Sequence, residues 1–285
     1  MSDESPGSNN RVEYSYSEML YLTDHLRGPA IRECIDSMDI REGSRGLEVG
    51  CGIGLHTAVL ADAVGENGEV VALDISPEML NETNERMVGS GLHKRVRLAL
   101  GDLLSLPFAS DSFDWVVAVD TIWPGPVSSG CPSESPYLMI RELKRVIRSS
   151  GLLALAYWTL HRLLPGYPNF EARLNTSNTV NSPMNDSSNP EVHCMRAAQW
   201  LKAEGLENVS GESFVSDVRG PLDRDGRESL AAIFHMLWGS SANELSREDK
   251  EKYQDLCLKN SRQFVGNEPE YYGLIIYSMF NGTKA

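Results

Sequence analysis

The 285-residue chain carries 26 Lys and Arg against 40 Asp and Glu, a net charge of −14, with 41% hydrophobic and 23% charged residues. That is the balance of a globular protein able to bury a sizeable core, and its acidity argues against a surface built for nucleic acid or anionic lipid. The five cysteines, at 34, 51, 131, 194 and 257, form no CxxC pair and no short metal-ligand spacing; this argues against a disulfide framework or a metal site and fits a reducing, cytoplasmic setting.

Residues 1–12 start with the small, polar run MSDESPGSNN. It reads as a disordered tail and has neither the basic nor the apolar region of a secretory signal. A helical region is expected over about Ser17–Met38, then strands and helices alternate. Arg45–Val49 is a strand running into glycines, Leu55–Val64 a helix, and Glu69–Leu73 a second strand. Ser76 and Pro77 have the chemistry of an N-cap and first helical residue, opening a helix to about Val88. Val96–Leu100 and the largely apolar Phe113–Val119 are the third and fourth strands. A helix over Glu134–Arg148 precedes a fifth strand at Leu152–Trp158. This alternation implies βαβ units and an α/β, doubly wound, Rossmann-like sheet.

Beyond Trp158 the regular spacing breaks. Residues 161–190, rich in Asn, Ser, Thr and Pro, read as a long loop or lid. A helix over Met195–Glu204 and a sixth strand at Asn208–Val218 follow. A helical insertion within 220–265, at about Arg227–Leu237 and Ser246–Phe264, precedes the last strand, Tyr272–Phe280. No apolar stretch approaches the length of a membrane span. The expected organisation is one domain over 13–285, with a cofactor-binding half at 40–160, the loop at 161–190 and the insertion at 220–265.

The chemistry concentrates in Gly46–Leu55, reading GLEVGCGIGL, where the first strand turns into the first helix of the alternating region. Gly50, Gly52 and Gly54 let the backbone turn sharply and approach a ligand. Asp74 closes the second strand, where a carboxylate can accept from both hydroxyls of a ribose. The spacing is GxGxG, and Leu55 stands where a dinucleotide fingerprint requires its third glycine. Glu48 precedes the loop, and Asp102 and Asp120 end the third and fourth strands. Four carboxylates about one pocket suit a cationic, ribose-bearing molecule better than a pyrophosphate. S-adenosylmethionine (SAM) is such a molecule: it carries a sulfonium, an ammonium and an adenine amino group but no phosphate.

With GLEVGCGIG, VVALDIS followed by PEML, and the GD, LPF and SFDWVVAVDTI segments in order over about 44–160, the sequence resembles the class I SAM-dependent methyltransferases. Within them it is similar to the ubiquinone/menaquinone-biosynthesis branch of small-molecule enzymes. The resemblance implies a seven-stranded, mostly parallel sheet whose last strand is antiparallel, with helical lid insertions. It places Gly50, Cys51 and Gly52 along the methionine moiety, with Glu48 beneath. Asp74 would hold the ribose, Ile75 and Met79 flank the adenine, and Asp102 with the Leu103 N–H meet its edge. Asp120 would sit beside the amino-acid end. The product would be S-adenosylhomocysteine (SAH).

Methyl transfer from a sulfonium is an in-line displacement in which the protein supplies alignment, desolvation and sometimes a base. His161, just after the fifth strand, is the expected base. Trp123 and Trp158 are expected to wall the acceptor, and Tyr16, among Tyr14, Tyr16 and Tyr21, to close over the cofactor. Cys51 reads as a small buried residue of the loop. The leading expectation is methylation of a small molecule, without nucleic-acid partners. The alternatives are a SAM-binding protein without catalysis, an enzyme for RNA or protein, and a metalloid methylase using Cys131, Cys194 and Cys257. The acceptor and the oligomeric state are not readable from the sequence.

Overall fold

A computed structural model describes residues 14–125, 131–176, 190–240 and 244–285. Strands β1 (Arg45–Val49), β2 (Glu69–Asp74), β3 (Val96–Leu100), β4 (Phe113–Val119), β5 (Ile147–Arg162), β6 (Leu206–Arg219) and β7 (Tyr272–Lys284) form one sheet in the order β3-β2-β1-β4-β5-β7-β6. The first five strands run parallel. β7 is antiparallel to both of its neighbours, β5 and β6. The Rossmann-like sheet expected from the sequence is the one the chain builds.

Helices cover both faces, as the parallel strands β1 to β5 require. They are α1 (Tyr16–Ser37), α2 (Leu55–Ala63), α3 (Pro77–Gly89), α4 (Pro136–Val146), α5 (Pro168–Asn175), α6 (Ala197–Ala203), α7 (Arg224–Trp238) and α8 (Arg247–Cys257). Alternate side chains of β4 serve the two layers. Trp115, Val117 and Val119 pack toward α1, α2 and α7, and Val116 and Ala118 toward α4 and α6. The start of α1 is fixed by a capping box in which the Glu18 N–H donates to Ser15 Oγ (3.2 Å) and the Ser15 N–H to Glu18 Oε2 (2.8 Å). The expected cap of α3 forms likewise, the Met79 N–H donating to Ser76 Oγ at 3.2 Å.

Three expectations are corrected. α4 stops at Val146, because Ile147 already pairs with Phe113 and opens β5. β5 in turn runs past Trp158 to Arg162, through an irregularity in its pairing with β7 between Trp158 and Leu160. The described part of the supposed loop at 161–190 is core rather than lid: Leu163, Leu164, Phe170 and Leu174 are buried. The Glu171 carboxylate, itself buried, accepts the Leu163 N–H at 2.7 Å. Residues 177–189 of that segment, and residues 1–13, lie outside the described residues.

The insertion between β6 and β7 forms the expected two helices, but its apolar face is committed to the core. Leu230, Ile233, Phe234 and Trp238 of α7 are buried there. The Tyr14 ring meets His235 edge-on, 5.4 Å between centroids, and Arg173 of α5 holds Asp249 of α8 at 2.6 Å. No described residue of α5, α7 or α8 lines the cavity that holds the glycine loop.

Candidate active site

The sheet order reverses between β1 and β4, and connections leave those two strands toward opposite faces. A crevice at the carboxyl ends of the strands results, the place where open α/β sheets bind ligands. It holds a cavity of about 800 Å³.

The glycine loop forms its floor. The N–H groups of Gly50 and Cys51 both donate to the Leu73 carbonyl, at 2.8 and 3.0 Å. The Gly52 N–H donates to Asp74 Oδ2 and the Ser76 N–H to Asp74 Oδ1, each at 2.9 Å. Asp74 is therefore held by the loop it faces, and each oxygen keeps a further lone pair. Gly50 has φ +73°, and a Cβ there would lie 2.3 Å from Thr121 Oγ1. Gly52 differs: at φ +54° its Cβ would meet only Leu20 Cδ1, at 3.5 Å. Its bare backbone borders open space rather than a packed neighbour.

Ile75, Met79, Asp102 and Leu103 form one end of the cavity. Ile75 is 71% exposed although it is a large aliphatic residue, which leaves a flat apolar surface beside Asp74 for a planar ring. Asp102 is exposed, and its Oδ1 accepts the Leu104 N–H at 2.8 Å. At the other end stands Asp120, in the left-handed region at φ +49°. Its Oδ1 accepts the Trp158 N–H at 2.8 Å and its Oδ2 the Tyr277 hydroxyl at 2.6 Å. Trp123 lines the outer wall with Tyr16, Cys131 and Pro132. Its indole N–H donates to the Asp120 carbonyl at 2.8 Å.

Glu48, Gly54, Trp158 and His161 do not line the cavity. Glu48 is 2% exposed behind the loop and accepts the Thr57 hydroxyl at 2.5 Å. Burial pushes its carboxyl up to about 7, the Asp74 charge adding to the shift while the His56 ring and the Thr57 hydroxyl oppose it. Gly54 caps α2, where a Cβ would press on Thr83 at 2.8 Å. Trp158 stacks on Tyr277, 6.5 Å between centroids. His161 is not the base at the mouth of the site that its sequence position suggested. Its Nε2 pairs with Asn175 Oδ1 at 3.1 Å, and burial lowers the ring to about 4, opposed by that hydrogen bond and helped by Arg162. The extra residues of β5 carry it away from the cavity.

Burial pushes the Cys51 thiol well up, so it has no thiolate chemistry here. Of the three scattered cysteines only Cys131 reaches the cavity; Cys194 and Cys257 sit in different cores. Among the described residues no group of three or more His, Cys, Asp or Glu could hold a metal ion.

Tyr16, singled out in the sequence, lines the cavity from α1. The structure adds residues that the sequence reading missed: Leu20 and Arg27 share that face of α1, and His56 joins them from the first turn of α2. Arg27 is buried, its Nη1 donating to the Tyr277 hydroxyl at 3.1 Å, while its Nε has no hydrogen-bond partner among the described residues. The cavity thus offers a ribose-competent carboxylate, an apolar shelf, two further carboxylates and one buried cation. That donor and acceptor set fits a nucleoside bearing an amino acid, and among the described residues it carries no cluster of cations for a pyrophosphate.

The methyltransferase-domain family matches residues 47–151, the stretch that builds the loop, β2 to β4 and Asp120. Over that stretch the chain carries a methyltransferase domain. A demethylmenaquinone methyltransferase of Bacillus velezensis is 28% identical over 195 residues, covering 64% of this chain and 78% of the relative. One from Bacillus cytotoxicus is 35% identical over 143 residues, covering 50% and 56%. Among solved structures, YcgJ of Bacillus subtilis superposes with a TM-score of 0.53 at 17% identity, covering 89% of this chain and 98% of that one. The [4+2]-cyclase SpnF superposes with a TM-score of 0.50 at 17% identity, covering 97% of this chain and 85% of that one. A cyclase on this fold shows why the methyltransferase's chemistry must be argued from its site.

Proposed function

We propose that this methyltransferase moves the methyl group of SAM to a small, planar, largely apolar acceptor. The observation that carries the reading is the single cavity wall that joins the positive-φ glycines at 50 and 52 to Asp74, Asp102 and Asp120. SAM, when bound, supplies the activated methyl and its leaving group. The residues of this chain bind, orient and dry the site. Asp74 would accept from the ribose hydroxyls, and Ile75, Met79 and Leu103 would enclose the adenine with Asp102 at its amino edge. Asp120, fixed by Trp158 and Tyr277, would face the ammonium. Glu48 acts from behind the loop and holds its position through Thr57.

The acceptor wall is aromatic and apolar, built by Tyr16, Trp123 and Pro132 beside Cys131. That lining, and the demethylmenaquinone activity for which the relatives are named, support a quinol-like ring as acceptor. Methylation at a carbon that shares a phenolate's charge needs little base help, which suits a cavity that His161 does not line. The net charge of −14 favours such a substrate over a polyanion. No described helix is long and apolar enough to cross a membrane.

Titration calorimetry with SAM and SAH tests the cofactor, and binding of neither would refute the reading. Incubation with SAM and a short-chain demethylmenaquinol, read by mass spectrometry for methylated product and SAH, tests the acceptor class. Cofactor binding without transfer to the quinol or to other planar phenols would refute that part.

A further inference from the structure

In the antiparallel part of the sheet, β5, β7 and β6 turn one face toward α6 and the other toward α1 and α7. On the α6 side the register places Tyr157, Ser278 and Ser213 in one row across the three strands. Leu160, Ile276 and Val215 form the next row, and Arg162, Leu274 and Asp217 the third. An antiparallel sheet whose face meets water normally turns polar side chains outward. The second row does not: Leu160 and Val215 are each 43% exposed, and Ile276 between them is half-buried. With the half-buried Leu274 they make an apolar strip that packs into none of the hydrophobic cores of the described residues.

The strip continues the acceptor wall. β4 last pairs with β5 at Ala156, so all three rows stand beyond the end of β4, at the level of the crevice. Trp123 of the wall meets the Tyr157 ring edge-on, 5.1 Å between centroids, and Tyr157 in turn lies 6.4 Å from Phe280. Between Tyr157 and the strip, the Ser278 hydroxyl bonds to those of Thr159 and Ser213, at 2.8 Å each. Hydroxyls engaged with one another in this way lose little when hydrocarbon crosses them. Beyond the strip, Arg219 and the Tyr272 hydroxyl hold Asp217 at 2.7 and 2.9 Å, which closes it with charge.

Resting on the acceptor reading above, we propose that the acceptor's ring carries an apolar side chain, and that this chain lies on the strip formed by Leu160, Ile276, Val215 and Leu274. Size decides against a second copy of the protein. Three strands across and two residues along span roughly 10 Å by 7 Å, whereas each partner in a stable dimer gives about 800 Å². A bilayer would have to desolvate the exposed Arg162, Asp217 and Arg219 at the border of the strip. One hydrocarbon chain covers the apolar row and leaves those charges in water.

The test compares 1,4-naphthoquinol with its 2-pentyl derivative, both kept reduced, as acceptors for the full chain with SAM. The pentyl acceptor should show a KM about tenfold or more below that of the bare ring, with kcat within about threefold, because the chain is held away from the reacting carbon. Leu160→Ser and Val215→Ser, made singly, should each cut that preference to about threefold or less. Each should also melt within about 3 °C of wild type, as residues outside the core do. A larger fall in both variants would mean that the folded chain itself covers the strip, and would overturn the proposal; should one variant fail to fold, the other decides. A wild type without the preference overturns it, as does a preference that survives both substitutions. A dimer by light scattering that either substitution dissociates would give the strip to a second copy and overturn it too. Transfer to the bare ring with no gain from the chain leaves the acceptor reading standing, whereas transfer to neither acceptor overturns that reading itself.

Discussion

Glu48 offers a prediction whose size follows from its surroundings. Its carboxyl titrates near 7 in the folded chain, against an ordinary 4.5. The folded state therefore holds a proton that the unfolded chain has already released between those values. Stability is fully present below 4.5 and is lost as pH rises through 7. Each pH unit of the gap corresponds to about 1.4 kcal/mol, so the group accounts for a loss of about 3 kcal/mol between pH 4.5 and pH 8. Glu48→Gln keeps the shape and an acceptor for the Thr57 hydroxyl but removes the titration. Urea unfolding of both proteins at pH 5, 6, 7 and 8 measures the effect. The expected outcome is a variant close to wild type at pH 5 and more stable by about 2–3 kcal/mol at pH 8. For a chain of this size that is a rise in melting temperature of about 4–10 °C. Parallel stability curves across the whole range would refute the reasoning, because the six histidines and every other titrating group are common to both proteins.

Gly50→Ala forces a Cβ to within 2.3 Å of Thr121 at a positive φ, so it should displace the loop and weaken SAH binding at least about tenfold in calorimetry. Asp74→Asn removes a charged acceptor from the ribose position and should weaken SAH and 5′-methylthioadenosine, which lacks the amino acid, alike, by about 10-fold to 100-fold; a loss confined to SAH would misplace the ribose. His161→Gln keeps a partner for Asn175 and should leave kcat and the pH–rate profile of methyl transfer within about twofold. A lost limb in that profile would restore the histidine as base. Burial raises the Cys34 and Cys194 thiols to about 12, so a thiol reagent at pH 8 should modify them only on unfolding, at a rate set by opening of the fold.

Most of the fold was legible because its signals are local. Ser76-Pro77 caps a helix by its own chemistry, and Trp115–Val119 is apolar throughout because the strand is covered on both faces. The segment after Trp158 was not legible for the opposite reason. Pro165, Gly166 and Pro168 are turn formers in a stretch that runs into Asn, Ser and Thr, and they obscured Pro168 as the first residue of α5, with Glu171 in its first turn. That helix exists because Phe170 and Leu174 find the core between β5 and α7, and tertiary burial overrides local composition. The same long-range pairing, β5 against β7 as far as Arg162, moved His161 off the site.

The cofactor half of the cavity was readable for a related reason. Gly50, Gly52, Asp74, Asp102 and Asp120 all stand at strand ends, and in a parallel sheet successive strand ends arrive at the same edge. Once the strands are assigned, their residues are assigned to one place. α1 follows no such rule. Tyr16, Leu20 and Arg27 lie 23 residues or more before the loop's first glycine at Gly50, on a helix whose polar and apolar residues are too mixed to mark a single face. Their approach to the cavity depends on where α1 crosses the sheet. That crossing is set far away, by the Leu26 carbonyl accepting from Ser216 of β6 at 2.7 Å and by Arg27 reaching Tyr277 of β7. A helix placed by the last strands of the chain to complete a site built by the first ones carries its meaning in tertiary contacts, which is why Leu20 and Arg27 emerge only from the folded molecule.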